Sequence, residues 1–174
     1  MASAIERLSQ QSPPGEVKWI GLRPARREDP ISVDRVTAVA DQGLQGDHYP
    51  GKSGSGRQVT LIQFEHLAAI GGILGRESVN PRLLRRNIAV GGINLLTLRE
   101  RRFRIGTALL EGSGPCHPCS RMEENLGEGG LNAMRGHGGI TARIIETGVI
   151  AVGDPVVDLG PIVEEEPEPY PDGR

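Results

Sequence analysis

The two cysteines of the chain lie three positions apart, in the segment Cys116-His-Pro-Cys119. Thiol and imidazole groups act as nucleophiles, metal ligands or proton carriers, so this segment holds the side chains best suited to chemistry. Pro115 and Pro118 fix φ and remove backbone donors, which favours a loop over a regular strand. Eight of the 25 glycines fall within residues 112–139, about twice the share of an even spread. We therefore expect the backbone there to bend sharply or to approach a partner closely.

The cysteine pair supports three interpretations. Zinc would be held by Cys116, His117 and Cys119 with a further histidine, although structural zinc usually has two paired sets of ligands. Thioredoxin-like redox chemistry requires the motif to begin a helix in a βαβ unit, which the strand pattern does not favour. The third is one cysteine acting as a sulfur nucleophile, persulfide carrier or soft-metal ligand. Cys119 is then the better activated thiol, because it precedes a predicted helix and neighbours Arg121.

Eighteen of the twenty basic residues are arginines. Codon bias in a GC-rich genome explains this composition, and so does an anion site, where guanidinium groups form paired hydrogen bonds to phosphate; the two explanations are compatible. Arg135 and Arg143, with the backbone amides of Gly138 and Gly139, are candidates to bind such an anion near the cysteines.

A second basic segment comprises residues 99–104 together with Arg82, Arg85 and Arg86. Binding of nucleic acid would require interleaved aromatic residues, and Phe103 is the only one there. This segment is instead predicted to be a solvated hairpin or a protein-docking face.

The formal net charge of −2 does not indicate a partner, and the chain has no apolar run long enough to span a bilayer and no apolar stretch followed by a cleavage site at its N-terminus. We therefore expect a soluble cytoplasmic protein that binds neither nucleic acid nor membrane. The predicted organisation is a flexible leader at residues 1–15, one domain at 16–160 and a disordered acidic, proline-rich tail at 161–174.

The apolar pattern predicts a mainly β fold with a few short helices. Helices are predicted at 63–74, after Asn80-Pro81, and at 120–126, where Ser120 and Glu123 match a capping box. Strands are predicted at 17–22, 35–40, 58–62, 88–90, 94–98, 103–105, 107–111, 140–146 and 156–159. Many short strands joined by glycines favour a β-barrel.

Taken together, several short motifs resemble the MOSC domain family, the module found at the C-terminus of molybdenum cofactor sulfurases and as stand-alone bacterial proteins. They occur in the order of the family and span about residues 17–159. The motifs are Gly43-Leu-Gln-Gly-Asp47, Arg57-Gln-Val-Thr-Leu-Ile-Gln-Phe-Glu65, Leu84-Arg-Arg-Asn-Ile88, Pro118-Cys119, Gly138-Gly-Ile-Thr-Ala-Arg143 and Gly153-Asp-Pro-Val156.

The resemblance implies a β-barrel and identifies Cys119 with the conserved cysteine of the family. That cysteine is proposed to carry sulfur received from a cysteine desulfurase, or to ligate molybdenum in a bound molybdopterin. Pyridoxal phosphate is then expected only on the partner desulfurase. Cys116 lies outside the general pattern of the family, so its role stays open.

Three functional hypotheses follow. In the first, a stand-alone MOSC protein binds molybdenum cofactor, with Cys119 as metal ligand, or carries sulfur as a persulfide on Cys119. His117 would move a proton, and Arg57, Arg121, Arg135 and Arg143 would hold the phosphate and pterin oxygens. The second is a molybdenum-dependent reductase of N-hydroxylated substrates, supplied by an electron-transfer protein, and the third is a zinc-stapled interaction domain. Whether the chain is a sulfur carrier or transferase, or an oxidoreductase, is left open by the residues.

Overall fold

The computed structural model describes residues 2–48 and 53–164. Within them the α-helices are α1 (Ala4–Ser9), α2 (His66–Ile73), α3 (Arg121–Leu126) and α4 (Gly130–Met134), and 3₁₀ helices lie at Pro81–Leu84 and Leu95–Leu98. The strands are β1 (Gly15–Leu22), β2 (Ile31–Ser32), β3 (Arg35–Val39), β4 (Gly43–Leu44), β5 (Val59–Gln63), β6 (Ile88–Gly91), β7 (Arg101–Ile105), β8 (Ala108–Pro115), β9 (Ile140–Glu146), β10 (Gly148–Ala151) and β11 (Pro155–Pro161).

Seven of these strands close into a barrel, in the order β11-β7-β8-β9-β5-β6-β1, and β1 returns to β11 through the pairs Gly15↔Val156 and Glu16↔Pro155. The pairing of β5 with β6 is parallel and the other pairings are antiparallel. Strand β2 extends β1, and β10, β3 and β4 form a second small sheet. Closure gives the barrel strands hydrogen-bonding neighbours on both sides. The predicted fold class, a mainly β barrel with a few short helices, is confirmed.

Two hydrophobic cores flank the barrel wall at β5. Leu61 packs inside the barrel with Phe103, Ile88 and Leu110, whereas the next residue, Ile62, packs outside it in the second core. Successive strand residues face opposite sides, so a strand covered on both faces is apolar at nearly every position. The members of the second core that come from α2, α3 and α4 are Leu67, Ile70, Met122, Leu126, Ala133 and Met134. These contacts hold α3 and α4, and the segments next to them, against the barrel.

Two local predictions are wrong. Residues 94–98 were predicted to be a strand, but Asn94 accepts a hydrogen bond from the Leu96 amide and caps a 3₁₀ helix. The capping box of α3 does not form, because Ser120 already has helical backbone angles (φ −54°, ψ −24°). The Glu123 carboxylate instead accepts hydrogen bonds from the amides of Gly129 and Leu131, ahead of and within α4. These bonds lower the pKa of Glu123.

The basic segment around β7 is part of an antiparallel hairpin with β8, and its predicted role as a docking face stays a prediction. Its arginines form ion pairs on the barrel surface, namely Arg101–Asp158, Arg102–Glu111 and Arg104–Glu146. Arg82 donates to the Pro30 carbonyl, and Arg85 and Arg86 lie elsewhere, next to the cysteines.

At the N-terminus, α1 begins with a capping box formed by Ser3 and Glu6, in the stretch predicted to be a flexible leader. Most of the predicted acidic tail, residues 165–174, lies outside the described residues. The predicted domain boundaries therefore stay predictions. Within residues 2–48 and 53–164, no helix has the length and hydrophobicity needed to cross a membrane.

Candidate active site

The segment that carries the two cysteines is anchored at both ends. Strand β8 ends at Pro115, which pairs with Ile140, and the Cys116 amide donates to the Gly139 carbonyl at 2.9 Å. At the other end the Cys119 carbonyl accepts from the amide of Met122 in α3, also at 2.9 Å. Cys116 is buried and Cys119 is exposed, so the two thiols have different access to solvent.

Gly138 and Gly139 allow this segment to lie directly against the barrel. A Cβ on Gly138 would stand 2.1 Å from the Cys116 carbonyl oxygen, and one on Gly139 would stand 1.9 Å from that of Leu61. Gly139 also has a φ of 81°, a region that side chains disfavour. The proposed cofactor-binding role of these two glycines stays a prediction, since close backbone packing already accounts for them.

Arg86 is buried beneath the cysteine segment. Its Nε donates to the Gly138 carbonyl at 2.8 Å, its Nη1 to that of Leu84 at 3.0 Å and its Nη2 to that of Cys116 at 3.3 Å. One guanidinium group therefore connects three parts of the chain: Leu84 before β6, Gly138 before β9, and Cys116 in the cysteine segment. Burial lowers the pKa of Arg86, while the charges of Cys116 and Cys119 raise it.

Arg85 interacts with the exposed thiol. Burial lowers the pKa of Arg85, the charges of Arg121 and Arg23 lower it further, and the charge of Cys119 and a hydrogen bond to its side chain raise it. Arg85 has a φ of 56°, so the chain turns sharply between the 3₁₀ helix and β6. This turn lets the side chain of Arg85 reach Cys119 while that of Arg86 enters the interior.

Asp47 positions Arg23. Its side chain is almost fully buried; its Oδ1 accepts from the Arg23 amide at 2.7 Å, and its Oδ2 lies 3.4 Å from Arg23 Nη2. The Nε of Arg23 is buried and has no hydrogen-bond partner among the described residues. Buried donors without a partner are rare in native proteins, so Arg23 has hydrogen-bonding capacity that its contact with Asp47 does not use.

We define the arginine cluster as Arg85 and Arg86 together with the arginines whose charges lower their pKa values, namely Arg23, Arg57 and Arg121. Arg57 and Arg121 were candidates from the sequence, whereas Arg23, Arg85 and Arg86 were missed. The available signal was the motif Leu84-Arg-Arg-Asn-Ile88, whose arginines were assigned instead to the basic segment.

The other predicted arginines have different surroundings. Arg135 is exposed and lines a cavity of about 340 Å³ together with His117 and Pro118. Arg143 lies on β9, 3.9 Å from Glu111, and its charge adds a minor contribution to the lowered pKa of Asp41, which results mainly from hydrogen bonds from Ser53, Gly54 and Gln58. Arg135 thus stays close to the cysteine segment, whereas the contacts of Arg143 are with carboxylates.

The thiols and imidazoles do not combine into a metal centre made of protein ligands alone. Within residues 2–48 and 53–164, no group of three or more His, Cys, Asp or Glu side chains is placed to hold a metal ion. The zinc-stapled interaction domain therefore has no ligand set in the described part of the chain.

Comparison with known proteins supports the resemblance in sequence. The family model of the MOSC domain matches residues 48–157, well over half of the chain. The chain belongs to the MOSC domain family. The matched range contains Arg85, Arg86, Cys116 and Cys119, and Arg23 lies before it. No curated protein was found to match the sequence of this MOSC protein.

Solved structures share its fold. The YuaD protein of Bacillus subtilis superposes with a TM-score of 0.72 at 19% identity, covering 84% of this chain and 96% of its own. YiiM of Geobacillus stearothermophilus has a TM-score of 0.67 at 21% identity and covers 83% of this chain and 75% of its own. YiiM of Escherichia coli has a TM-score of 0.63 at 20% identity, and the superposition covers 86% of this chain and 72% of that protein. At these identities the likeness concerns the fold.

Replacing Arg85 by Gln is expected to weaken the binding of inorganic phosphate to the purified protein by about tenfold to a hundredfold, because one charge-assisted hydrogen bond contributes about 1.5–3 kcal/mol. Binding would be measured by calorimetric titration at low ionic strength. Arg82→Gln is the matched control, since Arg82 lies on the adjacent 3₁₀ helix and contacts Pro30 instead. Equal affinities for the two variants would show that the arginine cluster does not bind anions through Arg85.

Proposed function

We propose that this MOSC protein uses Cys119 to bind molybdenum cofactor or to carry sulfur as a persulfide. The observation that carries the proposal is an exposed thiol on a segment that the buried Arg86 guanidinium holds through the carbonyls of Cys116 and Gly138, while Arg85 interacts electrostatically with the same thiol. Like charges gathered beside a thiol repel one another, and a bound anion relieves that repulsion. A site of this kind suits a ligand that is both anionic and thiophilic.

Molybdenum cofactor has both properties, because its pterin carries a phosphate and its metal binds thiolate. The donor set fits it: Cys119 offers the soft ligand, and the guanidinium groups of the arginine cluster offer donors for phosphate. When bound, the cofactor would supply two-electron redox chemistry at the metal. The exposed imidazole of His117, two positions before Cys119, would hold or deliver a proton.

Sulfur carriage uses the same thiolate as a nucleophile. Attack of the Cys119 thiolate on the outer, sulfane sulfur of a cysteine desulfurase persulfide would form an S–S bond on Cys119, break the S–S bond of the donor and release the desulfurase thiolate. Pyridoxal phosphate would belong to that partner enzyme. Cys116 is buried, so Cys119 is the thiol that a partner can approach.

A reductase of N-hydroxylated substrates is the second candidate, and one observation favours it. The cavity of about 340 Å³ beside His117 and Arg135 provides room for a small substrate next to the cysteine segment. In this case an electron-transfer protein would be the partner.

Both proposals keep the cytoplasmic location predicted from the sequence, because the chain would have to meet either the enzymes that make molybdenum cofactor or a cysteine desulfurase.

The test is to purify the full chain from cells that make molybdenum cofactor and contain a cysteine desulfurase. Elemental analysis would measure molybdenum and zinc, and intact mass before and after reduction would detect one added sulfur atom. We expect either near-stoichiometric molybdenum or a reducible sulfur adduct. Protein that carries neither would contradict the proposal, and stoichiometric zinc released only on denaturation would support the interaction domain instead.

A further inference from the structure

The segments that carry Arg85 and Arg121 are packed against each other next to the exposed thiol. Arg85 directly follows the buried Leu84. Arg121 directly precedes the buried Met122, and both apolar residues belong to the second core, outside the barrel. The Met122 amide also donates to the Cys119 carbonyl at 2.9 Å. The fold therefore brings the backbone at both arginines and at Cys119 to one part of the molecule.

A side-chain hydrogen bond fixes the same arrangement. Asn125 of α3 donates through its Nδ2 to the Leu83 carbonyl at 2.8 Å. Leu83 belongs to the 3₁₀ helix Pro81–Leu84, which ends directly before Arg85, and Arg121 is the first residue of α3. The two arginines are thus held near each other by the elements that carry them, independently of where their side chains reach.

The positive charge gathered here has little counter-charge from carboxylates. Arg85 and Arg121 are half-buried. Among the ion pairs of the described residues, one involves the arginine cluster, namely Arg23–Asp47. Burial and the charges of Arg121 and Arg23 lower the pKa of Arg85, and the negative charge that raises it is that of Cys119. A reactant that approaches this thiol therefore meets donors and positive charge, which favour an anion over a neutral molecule.

Cys119 is open to small reactants as well as to proteins. Its side chain is exposed, whereas that of Cys116 is buried. The segment is held in place by the hydrogen bond from the Cys116 amide to the Gly139 carbonyl and by the contacts of the buried Arg86 guanidinium. A fixed thiol beside fixed donors suits a reactant that carries a thiophilic atom and an anionic group a bond apart.

We propose that Cys119 accepts sulfur from a small anionic donor of the thiosulfate class, in which a sulfane sulfur is bonded to an oxidised, negatively charged sulfur group, and that Arg85 and Arg121 hold the oxygens of that group. This inference rests on the persulfide branch of the proposed function and names a donor for it.

The transfer is a single displacement that needs no oxidant or reductant. The Cys119 thiolate attacks the sulfane sulfur, an S–S bond forms on Cys119, the S–S bond of thiosulfate breaks, and sulfite leaves with the electron pair of that bond. One negative charge moves from the thiolate to the sulfite group, where the guanidinium groups of Arg85 and Arg121 stabilise it.

Iodoacetate and iodoacetamide test the charge selectivity of the thiol without any transfer of sulfur. Both alkylate thiols and they are similar in size, but only iodoacetate is anionic. At Cys119, located by peptide mass analysis, we expect the ratio of the iodoacetate rate to the iodoacetamide rate to exceed that of the same chain in urea about fivefold or more. Arg85→Gln and Arg121→Gln should each lower the ratio, and Arg82→Gln should leave it unchanged. A ratio equal to that of the unfolded chain would overturn the proposal.

The transfer itself is tested with the reduced full-length protein and thiosulfate, without added cofactor. We expect stoichiometric release of sulfite and one added sulfur atom in the intact mass, and neither in the Cys119→Ser variant. Arg85→Gln is expected to slow the loading about tenfold, and Arg82→Gln to leave it unchanged. Sulfate, an oxyanion without a sulfane sulfur, should compete with thiosulfate. Absence of sulfite release, or equal rates for the two arginine variants, would overturn the proposal.

A parallel reaction with a persulfide-bearing cysteine desulfurase separates this inference from the proposed function. Loading of Cys119 by the desulfurase but not by thiosulfate would overturn the inference and leave the proposed function standing. Loading by thiosulfate but not by the desulfurase would support the inference and identify the small anion as the donor. Loading by neither would overturn the inference together with the persulfide branch on which it rests.

Discussion

A Cys119→Ser variant is expected to lose all molybdenum and persulfide loading while folding like the unaltered chain. Serine keeps the size of the side chain but replaces a soft, easily ionised thiol by a hydroxyl, which neither binds molybdenum strongly nor accepts sulfane sulfur. Because Cys119 is exposed, its side chain contributes little to packing. Elemental analysis and intact mass of the purified variant would measure the loss, and thermal unfolding would establish that the fold is unaltered.

Cys116→Ser is the matched control, with the same chemical change three positions away. Cys116 is only 3% exposed, so we expect this variant to keep its loading and to lose some stability, as a hydroxyl enters a buried site. Full loading of Cys119→Ser would contradict the assignment of the reactive thiol. Loss of loading in a folded Cys116→Ser variant would show that the two cysteines act as a pair.

The barrel could be predicted from the sequence because its strands have simple patterns. Residues 140–146 were predicted and found as a strand with the same bounds, and β6 is apolar because both of its faces are buried. The segment 94–98 was mistaken for a strand because its leucines satisfy an apolar pattern, while the decisive contact is a local side-chain cap by Asn94. Local caps compete with periodicity over so few residues.

The reactive cysteine could be proposed from the sequence, but most of its surroundings could not. Arg23 is held by a buried contact with Asp47, and its charge acts on Arg85 and Arg86 across a separation in sequence that no local pattern reveals. Arg85 and Arg86 look alike in sequence, yet the left-handed conformation of Arg85 sends their side chains to different places. The spatial grouping of arginines that are distant in sequence depends on barrel closure and turn geometry, and neither can be predicted from a local sequence pattern.

Arg86→Met is expected to reduce the free energy of unfolding by about 3 kcal/mol, the cost of leaving several buried carbonyl groups without donors. Methionine is similar in length and fills the space, so the loss reports the hydrogen bonds to Leu84, Gly138 and Cys116. Burial of the charged guanidinium is unfavourable and lowers the pKa of Arg86. Removing this charge in the variant offsets part of the loss of stability. Urea denaturation followed by circular dichroism would measure the change.

Arg76→Met is the control for Arg86→Met, because Arg76 is exposed and donates to one carbonyl, that of Leu126. Its expected loss is below about 1 kcal/mol. Hydrogen exchange would then show where Arg86 acts: the amide of Cys116, bonded to Gly139, should lose protection before those of the barrel strands. If Arg86→Met unfolds no more readily than Arg76→Met, the buried guanidinium does not hold the cysteine segment, and the position of Cys119 must depend on the packing of Met122 and Met134 instead.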